Sequence, residues 1–252
     1  MDMWEADSVK KVKYKMGKLG KHNFMQKYSQ INAQLPDTRA ATKTNIYEMF
    51  RLHDSLYLKP DEGTGGRGIY KIIKNDKGFI LRGGTASRSF DSFDALYRSL
   101  HIFLNKNKYV VQQGIDLLKH DGRSFDIRVM VQKNRNRQLE TTGIIGRLGK
   151  PSKIVTNFHS GGTPLTVDTL LKSHLRGADR ANFIQKLESL GKEASIVLGE
   201  SYRRKKAFGV DIAIDSNMKP WILEINTGPD MSIFNTLKDK TMYRKILRYA
   251  KF

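Results

Sequence analysis

The sequence predicts an α+β fold, and three observations carry that prediction. Stretches of period-two hydrophobicity are mixed with stretches of helical periodicity, without the strict alternation that βαβ units of a parallel sheet require. The segment GVDIAIDSNMKPWILEIN, residues 209–226, has alternating apolar residues on both sides of the turn 215–219, the pattern of an antiparallel hairpin. The segment YLKPDEGTGGRGIY, residues 57–70, sets a loop containing Gly63, Gly65, Gly66 and Gly68 between two apolar, strand-like runs.

Along the chain, a basic helical entry is expected to about residue 34, followed by a turn at Leu35-Pro36-Asp37-Thr38. Asp37 or Thr38 can cap a helix that continues through Phe50. Strands are expected over 56–59, 69–74 and 79–82, then a helix over 92–104 opened by Asp91 or Ser92. Strand periodicity returns over 109–113, 124–132 and 141–147. Helices over 167–175 and 179–198 precede the hairpin, and a last helix starts near Asn235. Met231, Ile233 and Phe234 are expected to pack the end of the domain. No internal repeat or low-complexity linker interrupts this order.

Within the hairpin, Glu224 and Asn226 are two residues apart and share a strand face, while folding about Asn217 brings Asp211 beside Glu224. Hard divalent cations take oxygen ligands and are commonly shared with nucleotide phosphates, so Asp211, Glu224 and Asn226 form a candidate magnesium site. The plainer alternative is acidic residues at a strand end and a turn. The glycine loop has two readings as well. Its lack of a Gly-Lys-Ser/Thr ending and the β-branched run after it exclude a P-loop and a dinucleotide fingerprint. A glycine flap between antiparallel strands, with Lys59 just before it, can close over a triphosphate, whereas four glycines also describe a mobile hairpin tip. Asp126 and Arg128 alternate on FDIRVMV and share a face, placing Arg128 to hold a phosphate or to form an ordinary cross-strand salt bridge.

Composition sets the outer bounds. With 252 residues, 39% of them hydrophobic, the chain can bury one sizeable core or two small ones. No run approaches the roughly 18 apolar residues that span a bilayer, and the N-terminus lacks the apolar core of a signal peptide. A cytoplasmic protein is expected. The absence of cysteine excludes disulfides, thiolate catalysis and cysteine zinc sites. Lys+Arg 45 against Asp+Glu 25 gives a net charge of +20, which attracts polyanions and anionic substrates. These cations are spread through the chain, with local density at residues 10–21 and 203–206, and no helix-turn-helix or RNP signature accompanies them. That dispersal argues against sequence-specific nucleic-acid recognition.

The order of lysine-proline, glycine flap, YVVQQGID, DxR strand, GVDI and EIN resembles the ATP-grasp superfamily. KLGKHNFM followed by LPDTR, TNFHSGGTP and EINTGPDMSIF resemble the YheC/YheD family of endospore coat-associated proteins. The resemblance runs from about Lys18 to Phe234. It implies an ATP-grasp fold, with two α+β subdomains gripping ATP behind a reduced N-terminal region. The expected division is a basic helical region over 1–50 and an ATP-grasp domain over 51–252. Within that domain, about 51–115 carry the flap and about 116–252 the metal site. The stretch before Lys59 is too short for the full α/β domain that usually stands there.

The resemblance also assigns roles. Lys59 and the flap glycines Gly63, Gly65, Gly66 and Gly68 hold phosphates, and Lys18 matches a second phosphate-binding lysine. Backbone groups around Gln113 and Ile115 bond adenine, with Gln112 beside them, although the bare spacing also fits a core strand ending at a turn. Arg128, Arg147 and Asn157 line the reaction chamber, and nothing in the family's chemistry requires His159. The implied activity is ATP-dependent carboxylate–amine ligation through an acyl phosphate, using ATP with Mg2+, or Mn2+ in its place. Small-molecule or peptide carboxylates and amines are the expected substrates, no membrane partner is expected, and a homo-oligomer is compatible. The alternatives are an ATP-binding or spore-associated structural protein without ligation, and a polyanion-binding protein.

Overall fold

The computed structural model describes residues 16–252, apart from 64, 152, 157, 159 and 160. Helices α1 (Lys18–Met25) and α2 (Ser29–Asn32) lead into strand β1 (Thr38–Ala40), helix α3 (Lys43–Met49) and strands β2 (Ser55–Pro60), β3 (Tyr70–Asn75), β4 (Gly78–Gly83) and β5 (Ala86–Phe90). Helix α4 (Phe93–Leu104) and strand β6 (Tyr109–Gln113) complete this half. Among the described residues the strands form two six-stranded sheets, the first ordered β1-β6-β2-β3-β4-β5 with antiparallel pairing throughout.

One face of the first sheet is covered by α3 and α4. Ile46, Met49 and Phe50, and Leu96 and Leu100, recur at helical spacing and meet Leu56, Leu58, Ile72 and Val111 in a continuous core. Each such side chain contributes roughly 1.5–3 kcal/mol on burial. The period of two then sends Tyr57, Lys59 and Gln112 toward the other half of the molecule, where they line a cavity.

The second half contains β7 (Lys119–His120), β8 (Arg123–Lys133), β9 (Leu139–Leu148), β10 (Thr163–Leu165), α5 (Val167–Leu171), α6 (Gly177–Ser201), β11 (Ala207–Ile214) and β12 (Pro220–Asn226). A short 3-10 helix, Ser232–Thr236, and α7 (Thr241–Ala250) follow. The sheet order is β10-β9-β8-β11-β12, with β7 joined to β8. Phe125, Ile127, Val129 and Val131 pack against Leu187, Ala194 and Leu198 of α6, and Met25 and Ile31 from the N-terminal helices join the same core. The intervening residues Asp126 and Arg128 therefore face the other way, with Met130 and Ile145 packing on Ile233, Phe234 and Ile246 farther along that face. Met231 packs against this cluster, as expected of the domain's end.

Several expected elements need correction. The helix expected from Asp37 or Thr38 to Phe50 is two elements. Thr38 begins an edge strand paired with Gln112, and Thr42 is the cap of α3, its hydroxyl accepting from the Asn45 amide at 3.1 Å. Cross-strand pairing with β6 has overridden a local capping signal. Among the described residues, the basic entry carries two short helices, α1 and α2. Ser92, not Asp91, caps α4. The final helix starts at Thr241, after a 3-10 turn. Strands β1, β5, β7 and β10 were not expected.

The N-terminus of α1 is capped from a distance. The amides of Lys18 and Leu19 donate to the main-chain oxygen and the Oδ1 atom of Asp61, at 2.9 and 2.8 Å, just where the chain leaves β2. Gly17 makes this possible, since a Cβ there would lie 2.1 Å from the Asp61 carboxylate. Among the described residues no helix is long and apolar enough to cross a membrane.

Candidate active site

A cavity of about 1110 Å³ opens between the two sheets. Lys59, Gly63, Gly65, Gly66, Gly68, Gln112, Gln113, Ile115, Arg128, Arg147, Asp211, Glu224 and Asn226 all line it. Asn157 and His159 lie outside the described residues.

The roof is the turn between β2 and β3. Gly63, Gly65, Gly66 and Gly68 have φ values of 148°, 72°, 76° and 69°, backbone conformations that residues with a Cβ adopt at a cost. The loop therefore needs its glycines for shape, whatever lies beneath it. Lys59 precedes it with its ammonium on the Oε1 atom of Gln112, and Gln112 in turn donates from Nε2 to the Thr38 hydroxyl at 3.0 Å. Burial, opposed only in part by the carboxylates of Glu224, Asp211 and Asp126, lowers the Lys59 pKa to about 8. Tyr57 stands beside it, its ring 5.8 and 5.5 Å from the Lys59 and Lys71 ammoniums. The Tyr57 hydroxyl donates to the Ile154 carbonyl at 3.2 Å, and burial pushes its pKa up to about 12.

The side wall is the end of β6. The Gln113 amide donates to the Asp37 carbonyl at 2.8 Å, and its Oε1 accepts from the Asp37 amide, so this N–H is already committed. Of the expected adenine-binding pair, Ile115 presents its side chain at the cavity wall, 6% exposed.

The floor is a band of charge set by strand register. Asp126 lies opposite Arg147 on β9, Arg128 opposite Asp211 on β11, and Asp211 opposite Glu224 on β12. Arg147 donates from Nε to Asp126 at 2.8 Å, bonds the same carboxylate again through Nη2, and reaches Asp211 Oδ1 at 3.1 Å. Arg128 forks onto Asp211, through Nε to Oδ1 and through Nη2 to Oδ2 at 3.0 Å. Asn226 Nδ2 lies 3.5 Å from Asp211 Oδ2. Arg128 thus forms the cross-strand salt bridge that its spacing allowed, and in the same position it faces the cavity. Burial works against charge on Asp211, yet Arg128 and Arg147 outweigh it and hold its pKa below the ordinary carboxylate range. Burial likewise opposes the Arg147 charge, and the attraction of Asp126 and Asp211 more than restores it.

Two further cavity residues, Asp126 and Lys18, matter to the site, the first outside the expected catalytic, phosphate and metal sets and the second matched by resemblance to a phosphate-binding lysine. Asp126 was noticed only as a neighbour of Arg128, and it is the principal anchor of Arg147. Lys18, one lysine among many in its segment, reaches the Gly63 carbonyl at 3.2 Å and Glu224 Oε1 at 3.7 Å, and so touches both the flap and the expected metal strand. Among the described residues no three acidic or histidine side chains cluster as a metal site. Asp211, Glu224 and the Asn226 amide are nevertheless an all-oxygen donor set on adjacent strands. They fit a hard cation that completes its shell with water and phosphate.

A family model described as YheC/D-like ATP-grasp matches residues 12–252. The chain belongs to that family. It is 29% identical over 244 residues to the endospore coat-associated protein YheD of Bacillus subtilis (strain 168), an alignment covering 92% of this chain and 53% of that protein. The endospore coat-associated protein YheC of the same organism is 22% identical over 209 residues, covering 81% of this chain and 57% of YheC. The chain spans about half the length of these curated relatives. The structure resembles that of N5-carboxyaminoimidazole synthetase from Staphylococcus aureus complexed with ADP, with a TM-score of 0.55 and 12% identity, over 93% of this chain and 51% of that one. The fold is ATP-grasp, the flap-bearing sheet and the charged sheet being its two α+β layers.

Proposed function

We propose that this ATP-grasp chain is an ATP-dependent carboxylate–amine ligase. One observation carries the reading: the glycine flap, Lys59 and the trio Asp211, Glu224 and Asn226, distant in sequence, converge on one cavity. ATP lies between the sheets, its triphosphate beneath the Gly63–Gly68 turn and beside Lys59, with its base toward Ile115. Asp211, Glu224 and Asn226 would hold magnesium, which supplies positive charge shared with the phosphate oxygens when bound. Lys59 and Arg128 neutralise phosphate charge, Arg147 stays fixed by Asp126 at the reaction chamber, and the flap excludes water.

A carboxylate oxygen of the substrate attacks the γ-phosphorus, and the bond to the bridging oxygen breaks, releasing ADP. The amine nitrogen then attacks the acyl carbon, phosphate departs with the electron pair of the acyl–oxygen bond, and the nitrogen loses a proton to give the amide. Small molecules or peptides supply the carboxylate and the amine. The names of the two curated relatives motivate a place in or on the spore for this chemistry.

A mass-spectrometric screen of amino acids and small peptides with ATP is the direct test. The expected result is an amide product formed together with ADP and phosphate. Nucleotide binding without condensation across that set would reduce the chain to a binding module.

A further inference from the structure

Asp211 faces four polar donors at the floor of the cavity. A carboxylate offers about four lone-pair positions. Here Oδ1 faces Arg128 Nε and Arg147 Nη2, while Oδ2 faces Arg128 Nη2 at 3.0 Å and Asn226 Nδ2 at 3.5 Å. A cation cannot add to this arrangement; it has to replace a donor. The two arginines are not equal candidates for release. Arg147 also holds Asp126 through two bonds and keeps that partner if Asp211 is taken from it. Among the described residues Asp211 is the one carboxylate paired with Arg128. A cation on Asp211 therefore strands Arg128 alone, as a positive charge facing the cavity in which the phosphates lie. Gly209, next to Arg128 across the strands, leaves bare backbone along that side chain, where a Cβ would stand 3.2 Å from Cδ and Nη1.

We propose that Arg128 closes Asp211 to divalent cations until a nucleotide arrives, and that it moves from this carboxylate to the phosphates as the cation enters. Arg128 is then a positioning residue for the metal as well as a phosphate ligand. The cation loads poorly ahead of the nucleotide. This rests on the metal reading of Asp211, Glu224 and Asn226 given above. Exchange of this kind keeps both arginines and both aspartates paired before and after binding, so the floor of the cavity never holds an isolated charge.

The test is a Mn2+ titration followed by the electron paramagnetic resonance signal of the free ion, on the whole chain with and without a non-hydrolysable ATP analogue. With the Mn2+ held by analogue alone subtracted, wild-type protein should bind Mn2+ at least about tenfold more tightly with the analogue than without it, and Mn2+ should tighten the analogue by the same factor. Arg128→Gln should bind Mn2+ without nucleotide about tenfold or more tighter than wild type does, because two positions on Asp211 are released. Arg128→Lys keeps the charge but not the fork, and serves if the glutamine variant does not fold. It too should gain nucleotide-independent binding. The proposal is overturned if wild type alone binds Mn2+ as well as these variants. It is equally overturned if neither folded variant gains binding while wild type with analogue does bind. Mn2+ binding that in no sample exceeds what the analogue shows without protein overturns the metal reading itself and this proposal with it.

Discussion

Raising the pH should loosen the grip on nucleotide, and Lys59 should be the cause. Its ammonium sits in a dehydrated corner with the Gln112 amide as hydrogen-bond partner, and its pKa falls from 10.5 to about 8. Holding that charge there costs about 3 kcal/mol relative to water. A triphosphate provides the missing countercharge and returns the lysine to its protonated state. The sign follows directly: the protonated form binds, so affinity is undiminished below pH 8 and is lost as pH rises through it. Between pH 7 and pH 9 the dissociation constant should increase about tenfold, and binding at pH 8 should take up about half a proton. Calorimetry in two buffers of different ionisation enthalpy measures both quantities. Lys59→Met should bind more weakly at pH 7 and show almost no further loss at pH 9. A flat profile in wild type, or an unchanged slope in Lys59→Met, would refute this account of the site. Stability moves in the opposite sense. The unfolded lysine keeps its proton up to 10.5 while the folded one releases it near 8, so this residue's penalty is full below pH 8 and fades between those values.

Asp126→Asn should destabilise the protein by about 3 kcal/mol, since it leaves the buried Arg147 with a share of Asp211 only; a thermal melt several degrees lower, with nucleotide affinity changed less than melting, is the expected pattern. DNA or RNA binding should be weak, indifferent to sequence and lost steeply with salt, whereas nucleotide binding in the cleft should persist. Titrating both ligands at low and physiological salt tests this, and tight binding of a defined nucleic acid at physiological salt would make the +20 charge the functional feature.

Much of this fold was legible because its central strands bury one face. The hairpin of β11 and β12 has Asp211 opposite Glu224, as folding about Asn217 required, and β6 matches its expected limits. The missed strands lacked that signal. Strand β5 reads ASRSF and is mostly exposed, and β1, β7 and β10 are two or three residues long. Periodicity has nothing to act on in so few residues. The start of α3 was misplaced because Asp37, Thr38 and Thr42 are equally good caps locally, and only pairing with β6 decides among them. The site was legible in its residue types and opaque in its pairings. That Arg128 meets Asp211 and Arg147 meets Asp126 depends on β8 lying between β9 and β11, a sheet order that no spacing along the chain discloses.

Helix α1 does not supply its own cap; it borrows Asp61, the residue at the root of the flap. The loan runs in both directions. If the root swings outward by the length of a hydrogen bond, Lys18 and Leu19 lose their acceptors together, and a helix of 8 residues has little else to nucleate it. The same helix sends Met25 into the core under the opposite sheet, so its order is also a measure of how the two layers are seated. The Leu19 amide becomes a tell-tale for the flap, reporting from a neighbouring helix on a loop whose own amides nucleotide would cover.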